Sequence, residues 1–255
     1  MSPLLACDQV TVGVGTRTLV EQLTVDFVPG EFVAILGRNG SGKTLTLHTL
    51  SGLREPTTGK VRMHGTALED MSRRDVARQL GVLTQDIEDG FVTTAIESVL
   101  IGRHPHLSLW QWESDEDERV AREALASVDL SEFSSRLTDT LSGGERRRVA
   151  IASLLAQDPT LFLLDEPTNH LDPHHQLAVL SLFRELTRTG RTVVATLHDP
   201  TLAARFADRV ILLSGDGRWK VGPTEQVVTA ESLSELYVTP ILELNKDGRR
   251  VFASA

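Results

Sequence analysis

A short apolar run, Glu31-Phe32-Val33-Ala34-Ile35-Leu36, leads without a break into Gly37-Arg38-Asn39-Gly40-Ser41-Gly42-Lys43-Thr44. No other junction limits the possible folds so sharply. A nearly continuous apolar run suits a strand buried on both faces of a parallel sheet. The spacing G-x-x-x-x-G-K-[ST] is a phosphate-binding loop when it leaves a strand and opens a helix, and a helix is expected from about Lys43. Glycines in such a loop let backbone N–H groups turn inward onto phosphate oxygens. The helix N-terminus adds the positive end of its dipole. Lys43 is then expected to reach the β- and γ-phosphates of a nucleotide, and the Thr44 hydroxyl to ligate Mg²⁺. A glycine-rich turn without this role is set aside because both flanks are present.

Further strand ends carry polar groups. Leu161-Phe162-Leu163-Leu164 is followed by Asp165 and Glu166. Asp165 is expected at the sheet edge above the phosphate loop, where it can hold Mg²⁺ directly or through water. Glu166 comes next, and a carboxylate there can hydrogen-bond an attacking water. Gln85 follows Gly81-Val82-Leu83-Thr84, and His198 follows Val193-Val194-Ala195-Thr196-Leu197. Taken singly, neither a glutamine nor a histidine at a strand end says much. Their order along the chain gives them weight.

The rest of the chain frames these loops. Leu4 to Val12 and Leu19 to Val25 read as antiparallel strands, with a turn at Pro29-Gly30. From about Asp86 to Pro159 strand signals disappear and several helices are expected. Thr94-x-x-Glu97 and Ser142-x-x-Glu145 fit helix-start capping boxes, and Asp115-Glu116-Asp117-Glu118 suits a helix N-terminus. Strands return at Leu161 to Leu164 and Thr192 to Leu197, and the tail from about Val210 reads as short strands with one or two small helices. No internal repeat, low-complexity segment or flexible linker is apparent.

The net charge of −9 argues against a general nucleic-acid binder. Cys7 is the single cysteine, so no internal disulfide can form, which fits a reducing cytosol. No apolar run approaches the about 20 residues needed to cross a bilayer. The start, Met1-Ser2-Pro3-Leu4-Leu5-Ala6-Cys7-Asp8, lacks the layout of a signal peptide. Any membrane role is expected to run through a partner.

Between the phosphate loop and the acidic strand stands Leu141-Ser142-Gly143-Gly144-Glu145. Read locally, Ser142 caps a helix and Glu145 closes the box. The same geometry exposes the N–H groups of two glycines at a positive helix end, which is an anion site. The three stretches in this order resemble the ATPase subunit of an ATP-binding-cassette (ABC) protein over nearly the whole chain. The resemblance implies an α/β fold: a RecA-like P-loop NTPase core with an antiparallel β subdomain and an inserted α-helical subdomain. Residues 1–86 and 160–255 would form the core and tail, and residues 87–159 the helical signature subdomain. It implies that Glu166 activates the hydrolytic water, that Gln85 contacts Mg²⁺ or that water, and that His198 contacts the γ-phosphate. Ser142, Gly143 and Gly144 would bind the γ-phosphate held by a second copy, and His170-Leu171-Asp172 would join the two sites. Arg146-Arg147-Arg148 is read as a charged helix face.

Two positions depart from the family pattern. The aromatic on which the family usually stacks adenine falls near Val14, in Val12-Gly13-Val14-Gly15, and Leu45 replaces a frequent second hydroxyl residue. Further stretches narrow the likeness: Gly102-Arg103-His104-Pro105-His106, Asn169 through Gln176, Leu197-His198-Asp199-Pro200 and Leu202-Ala203-Ala204. They resemble ATPases of importers for iron-siderophore, haem and cobalamin complexes. That implies ATP and Mg²⁺ as ligands, and a head-to-tail dimer of two copies. It also implies a membrane permease fed by a periplasmic or surface binding protein, a place on the inner face of the membrane, and no nucleic acid. A metal site at His170, His174 and His175 is set aside, since adjacent histidines on a helix face different ways. His104 and His106 are read as part of a docking surface. Phe91, Pro105, Leu107, Trp110 and Trp112 fit either a docking surface or subdomain core. An exporter or Fe–S-assembly cassette is the nearest alternative. A DNA-repair cassette would need a long coiled coil between Gln85 and Leu141, a translation cassette a second cassette in the chain, and a non-hydrolysing regulator would not need Glu166 and His198.

Overall fold

The structure is a computed structural model and describes residues 3–85, 92–108 and 110–255. In chain order the elements are β1 (Leu5–Val14), β2 (Arg17–Phe27), β3 (Phe32–Gly37), α1 (Lys43–Leu50), β4 (Thr58–Met63), β5 (Thr66–Ala67), α2 (Arg73–Gln79) and β6 (Leu80–Leu83). Then come α3 (Ala95–Leu100), α4 (Asp115–Ala126), α5 (Gly143–Gln157), β7 (Leu161–Leu164), α6 (Pro173–Arg188), β8 (Thr192–Thr196) and α7 (Pro200–Phe206). The chain closes with β9 (Arg209–Leu213), β10 (Trp219–Pro223), α8 (Thr224–Val227), α9 (Ala230–Tyr237), β11 (Ile241–Lys246) and β12 (Arg249–Ser254).

The central sheet has six strands in the order β10-β9-β3-β8-β7-β6. All its pairings are parallel except β9 with β10. Side chains on a strand alternate between faces, and here both faces are covered. Phe32, Ala34 and Leu36 of β3 enter one core cluster, and Val33 and Ile35 enter the other. Phe162 and Leu164 part in the same way from Leu161 and Leu163 on β7. Two buried faces explain why these strands read as unbroken apolar runs. Each fully buried side chain of this size contributes about 1.5–3 kcal/mol, so the functional loops stand on well-buried strands.

A second, antiparallel sheet of order β2-β1-β4-β5 closes over one of these faces. It shares its core cluster with Leu47 and Leu50 of α1. The β1–β2 hairpin reaches Val14 and Arg17, beyond the strands expected from alternation. Register shifts between Cys7 and Gly13 break the alternation and hide its outer part. Cys7 is buried in this layer, and burial pushes its thiol pKa up.

α3, α4 and α5 pack on one another. The boxes at Thr94 and Ser142 both form, and Ser114 with Asp117 makes a third at the start of the acidic run. Trp110 and Trp112 stand out from this layer at 97% and 86% exposed, so they are not subdomain core. Pro105 and Leu107 are half-buried, and Phe91 lies outside the described residues. Among the described residues, no helix is long and apolar enough to cross a membrane.

Candidate functional site

Four neighbouring parallel strands, β3, β8, β7 and β6, end on one edge of the central sheet. The loop 37–44 leaves β3, His198 lies just past β8, Asp165 and Glu166 follow β7, and Gln85 follows β6. Residues far apart in sequence therefore meet because the strands are adjacent. Lys43, Thr44, Gln85, Glu166 and His198 line one open cleft of about 590 Å³, with Asn39, Gly40, Gly42 and Leu45. Val14, Arg17 and Leu19 of the β1–β2 hairpin also line it.

Gly42 is the N-cap of α1 with φ 97°, and it gives the helix no side-chain cap. A Cβ at this position would lie 3.1 Å from the Leu19 side chain, so glycine answers both the left-handed backbone and the close approach. Lys43 is 6% exposed, and its Nζ donates to the carbonyls of Gly37 at 3.0 Å and Arg38 at 3.4 Å. Burial lowers its pKa, and the carboxylates of Glu166 and Asp165 pull it back up. An ammonium at a helix start whose amides have no side-chain cap is suited to an anion.

Asp165 is fully buried. Its Oδ1 accepts the Thr196 hydroxyl at 2.6 Å, while Oδ2 is buried with no hydrogen-bond partner among the described residues. A hard divalent cation would satisfy that oxygen, and oxygen donors of the Asp and Thr type suit Mg²⁺. The donor set therefore fits this ion.

Glu166 has φ 48°, a left-handed backbone that is uncommon for a non-glycine residue. Both its carboxylate oxygens are engaged, Oε1 by His198 Nε2 and Oε2 by Asn169 Nδ2. Its backbone N–H donates to Thr196 Oγ at 2.8 Å. A carboxylate held at both oxygens is fixed in direction, as a group that must orient a water requires.

Three contributors were not anticipated from the sequence. Thr196 and Asn169 hold the two acids; the hydroxyl of Thr196 stands out in the apolar run from Val193 to Leu197, but nothing in that run names its partner. The third is Arg147. It is 1% exposed and donates to the carbonyls of Thr84, Gln85, Asp165 and Glu166. The expectation of a charged helix face therefore fails at Arg147: three successive residues on a helix turn through most of its circumference, and the middle one points inward. Arg148 instead donates to the Val128 carbonyl at 2.9 Å.

Ser142, Gly143 and Gly144 do not join the cleft. They line a separate groove of about 520 Å³ with His170, Leu171 and Asp172. The Glu145 side chain accepts the Ser142 N–H at 2.7 Å, and the hydrogen bonds from Ser142 hold its carboxyl pKa down. A Cβ on Gly144 would come within 3.1 Å of the His170 carbonyl, so the two loops are in close approach. Asp172 N-caps α6, and its side chain also meets His175 Nδ1 at 2.8 Å. Among the described residues, no group of three or more His, Cys, Asp or Glu side chains is placed to hold a metal ion. His104 faces Glu113 at 3.5 Å, and His106 Nε2 meets the Gln157 carbonyl at 2.8 Å.

The family model described as ABC transporter matches residues 20–169. The chain is 36% identical to the petrobactin import ATP-binding protein of Bacillus anthracis, covering 98% of this chain and 97% of that one. It is 39% identical to the ferric enterobactin transport ATP-binding protein of Escherichia coli (90% and 85% covered), and 40% identical to the hemin import ATP-binding protein of Gloeobacter violaceus (89% and 85% covered). Among solved structures it matches a chain of an inward-facing ABC transporter described as of metal-chelate type, with TM-score 0.86, 28% identity, and 99% and 97% covered. It also matches an ATP-binding cassette solved as a dimer in a post-hydrolysis state with ADP and Pi, with TM-score 0.73, 29% identity, and 85% and 97% covered.

Proposed function

The chain belongs to the ABC transporter family as its ATP-hydrolysing subunit, and from that premise we propose that it powers uptake of an iron–siderophore or haem complex through a membrane permease. What carries the proposal is the meeting of His198 and Glu166 beside Lys43, in a chain similar over most of its length to import ATPases.

The triphosphate would lie on residues 37–44, with Lys43 against its β- and γ-phosphates. Thr44, Gln85 and Asp165 would hold Mg²⁺, which when bound would spread the charge of the phosphate oxygens. Glu166 would take the proton of the attacking water while His198 and Asn169 fix its direction. The groove at Ser142 supports a site completed by a second copy, since it shares no lining residue with the Lys43 cleft of its own chain. Two copies would then close head to tail on ATP and reopen after hydrolysis, moving the permease between its two orientations. We take residues 87–159 as the unit that meets the permease, on the inner face of the membrane.

The test is uptake. Proteoliposomes carrying the permease and this subunit should import a ferric siderophore or haem only with ATP inside, and Glu166→Gln should bind ATP yet lose about 10²–10⁴-fold in hydrolysis. Transport that persists with the Glu166→Gln subunit would defeat the proposal.

A further inference from the structure

One buried side chain joins the signature helix to the loops that carry Gln85 and Glu166. Arg147 lies on α5 and is 1% exposed. Its Nη1 donates to the carbonyls of Thr84 and, at 3.4 Å, Gln85. Its Nη2 donates to the carbonyls of Asp165 and, at 2.9 Å, Glu166. The two pairs of acceptors follow β6 and β7, which are neighbours in the sheet. They lie where the strand ladder ends, and of the four the Glu166 carbonyl is also met by the Asn169 N–H at 3.1 Å.

A guanidinium is suited to this place. Its N–H groups form a rigid planar fork, so it serves two sites at a fixed separation, which an ammonium cannot do. The backbone at Glu166 adds a specific need. Its left-handed φ of 48° persists only if its surroundings hold it. Thr196 takes the N–H of Glu166, and Arg147 shares its C=O with the Asn169 N–H, so the residue is pinned at both ends.

We propose that Arg147 is a positioning residue for ATP hydrolysis. It sets the peptide planes from which Gln85 and Glu166 project, and it ties both to the orientation of α5, whose first turn is Gly143 and Gly144. A rotation of the helical layer would then reach the hydrolytic carboxylate through a single guanidinium. The proposal rests on the ATPase reading above.

The experiment compares the full-length chain with Arg147→Gln and Arg147→Lys, each alone and combined with Gln85→Ala. Turnover, ATP affinity and thermal midpoint are measured in parallel. Both variants should fold and bind ATP within about threefold of the parent, while kcat falls about 30- to 100-fold, the scale of a misplaced reacting group. In the Gln85→Ala background the Arg147→Gln loss should be smaller than in the parent, because the share that acts through Gln85 is already gone while the share through Glu166 remains. Full turnover in both variants would overturn the proposal. So would parallel loss of ATP affinity, or failure of both variants to fold, since each would assign Arg147 to structure alone. If the parent chain itself hydrolyses no ATP in the same assay, the ATPase reading fails instead, and the two failures are distinct.

Discussion

Thr196 donates its hydroxyl to Asp165 Oδ1 at 2.6 Å. Thr196 Oγ1 in turn accepts the Glu166 N–H at 2.8 Å, so one hydroxyl on β8 orients both acids that end β7. Thr196→Val keeps the shape of the side chain and removes this link. It should cost about 1–3 kcal/mol of stability, because two buried polar groups lose their partner. It should also weaken Mg²⁺ activation about 10–100-fold, as loss of a partner behind a metal ligand does. A Mg²⁺ titration of ATP hydrolysis reads this directly, and an unchanged half-saturation point would refute the role given to Asp165.

Ser142 lines a groove that shares no residue with the Lys43 cleft. Ser142→Arg should therefore leave ATP binding by the single chain within about twofold while lowering turnover at least about 100-fold, the cost of losing a group that acts only on the assembled reacting centre. Nucleotide titration followed by a phosphate-release assay separates the two. Equal loss of binding and turnover would mean that the groove belongs to the same nucleotide as the cleft.

Val14 lines the cleft, is 53% exposed, and offers a base no aromatic face. Val14→Tyr should add about 0.5–1.5 kcal/mol of stacking, which is a gain of about 2- to 12-fold in ATP affinity. Tripolyphosphate, which has no base, should bind the two proteins alike. If the affinity for tripolyphosphate rose as well, the gain would come from elsewhere.

Asp117 sits in the box that starts α4, with Arg103 Nε at 2.9 Å. Arg103 also donates to the Ala156 carbonyl at 2.7 Å, so the pair ties α4 to the end of α5. Hydrogen bonds from the Ser114 hydroxyl and amide hold the Asp117 carboxyl down to about 2, from an ordinary 3.8. A depressed carboxylate stabilises the fold above its unfolded pKa, and that contribution fades as pH falls from about 4 towards 2. Asp117→Asn should lower the thermal midpoint by about 2–4 °C at neutral pH, the effect of about 1 kcal/mol in a chain of this size. The gap between the two proteins should close below pH 4 in a pH series of melts. A gap that stays constant into acid would show that the charge is not what stabilises.

The legible parts of the site were those whose chemistry is local. The loop 37–44 and the pair Asp165–Glu166 are contiguous, and each follows an apolar strand. Thr196 was not legible because its contact with Asp165 depends on β8 pairing beside β7, with Leu164 opposite Ala195. Arg147 was misread because three arginines in a row look like a solvated face, whereas helical geometry turns the middle one inward. Trp110 and Trp112 fitted core or surface equally well, since an aromatic-rich stretch without clear periodicity does not say which face is covered. The outer β1–β2 hairpin was lost to its bulges, and with it Arg17 as a lining residue of the cleft.

The left-handed backbone of Glu166 sets the residue's own conformational preference against the contacts of its side chain. An L-residue in that well gives up about 1–2 kcal/mol that glycine would not. Glycine at 166 would relieve that backbone cost, but it would also leave His198 and Asn169 without the carboxylate that both of them meet. The left-handed turn at 166 is thus upheld by what surrounds it and not by the residue's own leaning.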